Sequence, residues 1–352
     1  MRIHLIRTYH PHWGRHTGAH QFIHYLDPER FQIDDRVVAM GDDDFPIKAS
    51  VVRLGIKYMV RRKGMRVYGL NDLLAEFAAG RQWWREEIDV LHYLEGEHSL
   101  QFLPSIVTML GRLRPRPRIV ATFHQPPELL DRLINIKNVQ KVDRVIVLSP
   151  EQVSYFEQHL PADKVSMVLH GIDTDFFFPA IQSEAPRRFR CLSVGSWLRD
   201  YDAVLDVAHR LSSESDFEFQ IVSNAVSGHE IPGNVSVQSG IDDDALRAMY
   251  QQADVLFLPV TSATANNTVL EGIACGLPVV TTDLASLRCY LPGQEAILIK
   301  ENDPEHLAAA LLKLYNNPEL RTEMAEAARR RALDLSWVKV AHEHASVYID
   351  LV

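Results

Sequence analysis

Residues 261–283, TSATANNTVLEGIACGLPVVTTD, read as a polar loop, a short helix and a buried strand. Asn266, Asn267 and Thr268 suit a helix start, Gly276 followed by Pro278 stops the helix, and Pro278 to Thr282 (PVVTT) has strand composition. A helix from Thr268 to Cys275 makes only about two turns, roughly 12 Å, so it adds little stability of its own. Its value lies at its N-terminus, where unpaired N–H groups and the positive dipole end suit an anion such as a diphosphate. The small residues Ser262, Ala263, Thr264 and Ala265 let that anion approach the backbone. Glu271 then falls in the first helical turn and has two readings. Its carboxylate is placed to hold the vicinal hydroxyls of a ribose, or it closes a capping box with Thr268 through Thr268-Val-Leu-Glu271.

Outward from this stretch, the chain alternates strands and helices. Upstream come a strand over Phe189 to Val194, the loop Gly195-Ser196-Trp197-Leu198-Arg199-Asp200, a helix from Asp202 to Leu211, and strands over Phe217 to Val222 and Val235 to Gln238. Ser239-Gly240-Ile241 leads into a helix over Asp243 to Gln252, and Ala253 to Pro259 (ADVLFLP) is the strand that feeds the opening stretch. Downstream lie a strand over Glu295 to Lys300, helices over His306 to Tyr315 and Pro318 to Leu335, and a final helix from Trp337. Arg199 follows the first strand of this half, where it is either a solvated loop arginine or, if loop and helix face one cleft, a second anion-binding device beside the helix start.

The first half has the same rhythm. Strands are expected at Ile3 to Ile6, Phe31 to Met40, Ser50 to Leu54, Asp89 to Tyr93, Arg118 to Thr122, Asp143 to Ser149 and Val165 to Leu169. Helices are expected over Ala19 to Leu26, Leu100 to Leu113 and Pro150 to His159. Alternation of this kind builds parallel sheets in α/β layers. Gly14 and Gly18 lie in the loop after the first strand, where they either bring backbone close to a ligand or simply form the turn. His124 leaves the carboxyl end of a strand, the edge at which open α/β sheets place ligands, and is either a group for chemistry or a structural loop histidine. His20 and His24 are spaced to share one helix face, but no neighbouring acid or cysteine completes a metal ligand set. Lys57 to Tyr68 combines Lys57, Arg61, Arg62, Lys63 and Arg66 with Tyr58, Met59, Val60 and Met65, which suits a solvated helix or a segment on an anionic membrane surface.

Composition bounds these readings. With 352 residues, 46% hydrophobic and 24% charged, the chain has material for two well-buried domains. A balance of 37 basic against 46 acidic residues, net −9, argues against nucleic acid as the main partner. Three isolated cysteines, Cys191, Cys275 and Cys289, give no disulfide or zinc spacing and point to a reducing, cytoplasmic setting. The N-terminus enters a strand at once, and nowhere do 18 uninterrupted apolar residues occur.

The motifs, taken together, resemble glycosyltransferase family 4, the retaining nucleotide-sugar transferases of GT-B fold. HGIDTDFFFP (170–179) resembles the family's NGVDxxxFxP segment, QADVLFLPV (252–260) its aDvfvlPS strand, and VLEGIACGLPVVTTD (269–283) its lEamAcGlPVvatd signature. The stretch from Asp303 to Trp337 resembles its C-terminal helices. The resemblance implies two Rossmann-like α/β/α domains facing across a cleft: 1–182 on the acceptor side, 183–336 on the donor side, and a helix over 337–352 returning to the first domain. It implies a metal-independent enzyme with no cofactor, moving a sugar from a nucleoside-diphosphate-sugar to an acceptor hydroxyl, in the setting of cell-surface polysaccharide or glycolipid assembly. Residue by residue, it implies that His124 lies near the transferred sugar, Gly18 near the donor phosphates, Arg199 at the pyrophosphate in place of the usual lysine, and Glu271 on the ribose. Gly195, Ser196, Ile241, Asn266, Asn267 and Thr268 complete the implied donor site. The chain departs from the pattern at Ala263, where the first glutamate of E-x7-E would stand, and at Ser196, where the family has an arginine. Those departures keep two alternatives open, an epimerase or hydrolase of the same fold and a catalytically silent sugar-nucleotide binder. The expected setting is the cytoplasm, with peripheral membrane contact through Lys57 to Tyr68.

Overall fold

The structure is a computed structural model that describes residues 1–10, 15–39, 42, 45–61, 65–180, 188–214 and 216–352. Gly14, Arg62, Lys63 and most of the polar stretch expected to link the halves (181–187) lie outside the described residues.

Two compact units emerge, one of Met1–Trp13, Ala19–His170 and Val340–Val352, the other of Gly14–Gly18 and Gly171–Lys339. The first holds strands β1 (Arg2–Thr8), β2 (Gln32–Val38), β3 (Val90–Tyr93), β4 (Arg118–Phe123), β5 (Arg144–Val147) and β6 (Val165–Met167). They form an all-parallel sheet of order β2-β1-β3-β4-β5-β6. The second holds β7 (Phe189–Val194), β8 (Phe217–Val222), β9 (Val235–Gln238), β10 (Val255–Leu258), β11 (Val279–Thr282) and β12 (Ala296–Ile299). Their order is β12-β11-β10-β7-β8-β9, again all parallel. The inner strands β3, β10 and β11 are buried at every position, which is why they show no polar alternation, although His92 in β3 and Thr281 and Thr282 in β11 are buried polar residues.

The helices cover these sheets with their apolar faces. In the first unit Trp83, Tyr93, Phe123 and Phe156 anchor the core; in the second, Phe217, Phe219, Phe257 and Leu311 do so. A buried carboxylate orders part of the first core. Glu76 accepts hydrogen bonds from the hydroxyls of Tyr68 (2.8 Å) and Tyr93 (3.0 Å) and from the backbone N–H groups of Gln101, Phe102 and Leu103. Those amides open the helix Leu103–Leu110, so the carboxylate neutralises orphan donors at a helix start.

Three local expectations change. Ser50 to Leu54 is not a strand but the start of a helix, Ser50–Arg61, because so short an apolar run carries no period that separates strand from helix. In the Lys57 to Tyr68 segment, Val60, Met65 and Tyr68 are buried in the core while Tyr58, Met59 and Val67 are exposed, and the exposed apolar face continues upstream at Val51, Val52 and Leu54. Lys57 pairs with Asp42. Finally, Ala19–Tyr25 is a 3₁₀ helix, in which residues three apart eclipse, so His20 and His24 do not stack on one face.

The last helix, Trp337–Ile349, serves both units. Trp337 belongs to the second: its ring lies against Gly171, where an added Cβ would approach to 2.4 Å, and Ile172 bridges Ser336. From Val340 onward the chain belongs to the first unit. Val340, Ala341, His344, Val347 and Tyr348 form its buried stripe, while Val338 is exposed. Tyr348 shares a 2.6 Å hydrogen bond with His92 Nδ1 in β3, and His344 stacks on Phe22 at 4.0 Å. The terminal helix therefore does pack on the amino-terminal unit.

Candidate functional site

In the second sheet β7 leads outward to β8 and β9, whereas β10 leads to β11 and β12. The loops after β7 and β10 therefore flank the topological switch point, where doubly wound sheets bind their ligands. Backbone bonds stitch the two loops together: Asp200 N to Pro259 O at 3.0 Å and Thr261 N to Leu198 O at 3.0 Å. Gly195 has φ +91°, and a Cβ there would sit 3.0 Å from Arg199 Nη2, so the position needs glycine for both conformation and space. The Tyr201 hydroxyl donates to the Gly195 carbonyl.

Arg199 joins this loop to the helix Asn267–Ala274. Its Nη2 donates to Asn266 Oδ1 and Thr268 Oγ1, both at 3.1 Å. Nε donates to Val194 O at 2.9 Å, and Nη1 donates to Trp197 O at 3.0 Å. Four bonds thus occupy a guanidinium that has five donors. Burial lowers its pKa from the ordinary arginine value, yet the group stays charged. A fixed positive charge beside the positive end of a helix is a combination that an anion relieves.

The helix itself starts one residue earlier than expected. Asn266 is the N-cap, its Oδ1 accepting from Val269 N at 3.4 Å. No acidic residue lies in the first turn, so Glu271 is in the second. Thr268 is already inside the helix and bonds Arg199, which removes the capping box as an account of Glu271. Instead Glu271 Oε2 accepts from the Tyr250 hydroxyl at 2.7 Å, with both residues buried. Burial pushes the Glu271 carboxyl up to about 7, against the opposing pull of the Tyr250 bond. Tyr250 is a site residue that sequence reading missed. It closes the helix before β10, and only the packing of that helix on Asn267–Ala274 brings the two side chains together.

The other expected donor residues spread around this centre. Ser196 is exposed and its Oγ lies 2.9 Å from both Ser223 Oγ and Asn224 Oδ1. Asn267 is half-buried at the first helical position. Ile241, also half-buried, precedes Asp242, the N-cap of Asp243–Gln252. Gly18 is buried with φ +107°, which explains a glycine there by conformation alone. Two residues before it, His16 stacks on Phe176 at 3.6 Å and its Nδ1 lies 2.7 Å from Asp173 Oδ2. Ala263 is buried.

His124 belongs to the first unit and follows β4 directly. Its Nε2 lies 2.7 Å from the Leu94 carbonyl, an acceptor only, so Nε2 carries the proton. Burial lowers its pKa to about 4, leaving the ring neutral with its lone pair on Nδ1. The imidazole is therefore held in one tautomer by a backbone oxygen.

Two α/β units with doubly wound parallel sheets, one with a charged guanidinium at a helix start, define a class of nucleotide-dependent enzymes with GT-B fold. Residues 14–176 match the family described as Glycosyltransferase Family 4, and residues 199–331 match Glycosyl transferases group 1. The chain belongs to this family, group 1 / family 4, of retaining glycosyltransferases that transfer a sugar from a nucleoside-diphosphate-sugar. It is 24% identical over 290 residues to a D-inositol 3-phosphate glycosyltransferase of Pseudarthrobacter chlorophenolicus, covering 72% of this chain and 68% of that protein. It is 25% identical to the MMP alpha-(1->4)-mannosyltransferase of Mycolicibacterium hassiacum, over 79% of this chain and 62% of the relative. The solved sucrose-phosphate synthase of Thermosynechococcus elongatus superposes with a TM-score of 0.72 at 16% identity, covering 99% of this chain and 98% of that one, a likeness of fold.

Proposed function

We propose that the second unit holds the donor's nucleoside diphosphate, with Arg199 and the N-terminus of Asn267–Ala274 on the phosphates and Glu271 on the ribose. The first unit receives the acceptor, and His124 faces the transferred sugar. The observation that carries this reading is the guanidinium of Arg199 fixed 3.1 Å from Asn266 and Thr268 at the helix start. When the glycosyl–phosphate bond breaks, negative charge grows on the leaving diphosphate. A preorganised cation and helix end stabilise that charge without reorganising. Neutral His124 offers a hydrogen-bond acceptor to a sugar hydroxyl, which orients the reacting carbon. Ala263 presents only a methyl group where an acidic side chain would contact the donor sugar.

The acceptor, in this proposal, is a hydroxyl of a growing cell-surface polysaccharide or glycolipid, met at the inner face of a membrane. Support comes from Ser50–Arg61, which exposes Val51, Val52, Leu54, Tyr58 and Met59 together with Arg61. Among the described residues no helix is long and apolar enough to cross a membrane.

The deciding experiment is mass spectrometry of products after incubation with a panel of nucleotide sugars and lipid or glycan extracts. Transfer to an acceptor is expected; free sugar or an epimerised nucleotide sugar as the sole product would leave the acceptor reading without support. Co-sedimentation with vesicles rich in phosphatidylglycerol, lost in a Leu54→Asp/Met59→Asp chain, tests the membrane part. Equal sedimentation of both chains would remove it.

A further inference from the structure

In the first sheet the switch point lies between β1 and β3, and the segment after β3, Leu94-Glu95-Gly96-Glu97, turns at its carboxyl edge into the short helix Gly96–Ser99. This turn ties down both neighbouring strands. Glu95 Oε2 accepts from the N–H of Thr8, the last residue of β1, at 2.8 Å. Glu97 Oε1 accepts from the N–H of His124, the first residue past β4, at 3.0 Å. The Leu94 carbonyl takes the His124 ring at 2.7 Å. A Cβ on Gly96 would come within 2.9 Å of the Phe123 ring, so the turn also packs directly on the residue before His124. One four-residue segment, a turn and a helix start, thus fixes His124 by ring and by backbone.

We propose that Glu97 is a positioning residue of the transfer reaction, holding the backbone of His124 so that the imidazole keeps a single place and tautomer. The proposal rests on the reading of His124 as the group facing the transferred sugar. A comparison with Glu76 shows why Glu97 is not simply part of the core. Both side chains are buried, at 2% and 1% exposure. Glu76 receives five donors, the arrangement of a carboxylate that stabilises its surroundings. Glu97 has the His124 N–H on Oε1 and, besides its own backbone N–H and the neighbouring His98, no further support, its Oε2 having no hydrogen-bond partner among the described residues. Burial also pushes its pKa up. A buried carboxyl so poorly satisfied destabilises a fold, and its compensating value lies in what it holds.

The test compares Glu97→Gln, which keeps an oxygen for the His124 N–H, with Glu97→Leu, which removes it. Turnover of the nucleotide sugar identified by the product screen is measured beside thermal melting and ¹⁵N imidazole NMR, with the His124 signals assigned by difference from His124→Ala. Glu97→Leu should lower kcat roughly 10- to 100-fold with the donor KM unchanged. It should melt no lower than wild type and shift the His124 ring signals toward a mixture of tautomers. Glu97→Gln should restore kcat to within about twofold of wild type, since positioning needs the acceptor and not the charge. A Glu97→Leu chain that turns over normally while His124→Ala is impaired overturns the proposal. So does one that fails to fold or melts well below wild type, because Glu97 would then be structural. Normal turnover in His124→Ala instead overturns the reading on which the proposal rests.

Discussion

The two switch points of this protein are built from the same topology and finished in opposite ways. At β7 and β10 the polar groups are closed on one another: Arg199 bonds Val194, Trp197, Asn266 and Thr268, and Tyr250 bonds Glu271. At β1 and β3 the buried carboxyls are half-committed, Glu95 Oε1 and Glu97 Oε2 having no hydrogen-bond partner among the described residues. Burial raises Glu95 to about 8 and lowers His124 to about 4, so this crevice favours neutral forms. The difference teaches that one crevice keeps a fixed charge, which suits a diphosphate, while the other presents uncharged polar groups, which suit hydroxyls. In the proposed function the charged crevice takes the donor diphosphate and the uncharged one the acceptor hydroxyl.

The comparison breaks most directly at Arg199. Arg199→Ala should cost the second unit roughly 3–5 kcal/mol in urea unfolding, because four hydrogen bonds to a charged group vanish together. Nucleoside diphosphate affinity should fall further than nucleoside affinity in calorimetric titration. Equal losses for both ligands would separate the guanidinium from the phosphates. Lysine should not rescue the fold, since a single ammonium cannot span Val194, Trp197, Asn266 and Thr268.

On the other side, His124→Ala should lower kcat about 100-fold, or about 2.7 kcal/mol, while leaving nucleotide affinity as it is. A matching loss in nucleotide affinity would erase the division of labour between the crevices.

Acid sharpens the contrast in the first unit. Burial holds His344, beside Phe22 and Tyr348, down to about 3, below the ordinary histidine value. The unfolded chain therefore binds a proton that the folded one refuses. The stability this group contributes is complete above pH 6.5 and is lost as pH falls from 6.5 toward 3. Compared with His344→Leu, the wild-type chain should lose about 2 kcal/mol by pH 5, in denaturant titrations across that window. Parallel acid limbs for the two chains would remove His344 as the cause.

The smallest effect is expected at Glu271. Glu271→Gln should weaken nucleotide binding about tenfold, or about 1.4 kcal/mol, with little change in melting, because the amide oxygen still accepts from Tyr250. Binding that is unchanged would detach Glu271 from the ribose.

The sequence by itself determined the alternation of strands and helices, because buried parallel strands are short runs rich in apolar and β-branched residues and their helices carry a 3.6-residue period. It also singled out Arg199, Glu271 and His124, through the loops and helix start on which they fall, as the residues to propose for the chemistry. Local signals carried that far and no further. Ser50 to Leu54 was too short to show its period, and the N-cap passed to Asn266 because its side chain reaches both Val269 and Arg199. Only tertiary structure decided that Tyr250 meets Glu271, 21 residues away, and that His92 meets Tyr348, 256 residues away. It alone decided that Glu97, 27 residues before His124, holds that histidine's backbone. Such pairings depend on strand order, which turns residues distant along the chain into neighbours across a sheet edge and leaves no periodicity to read.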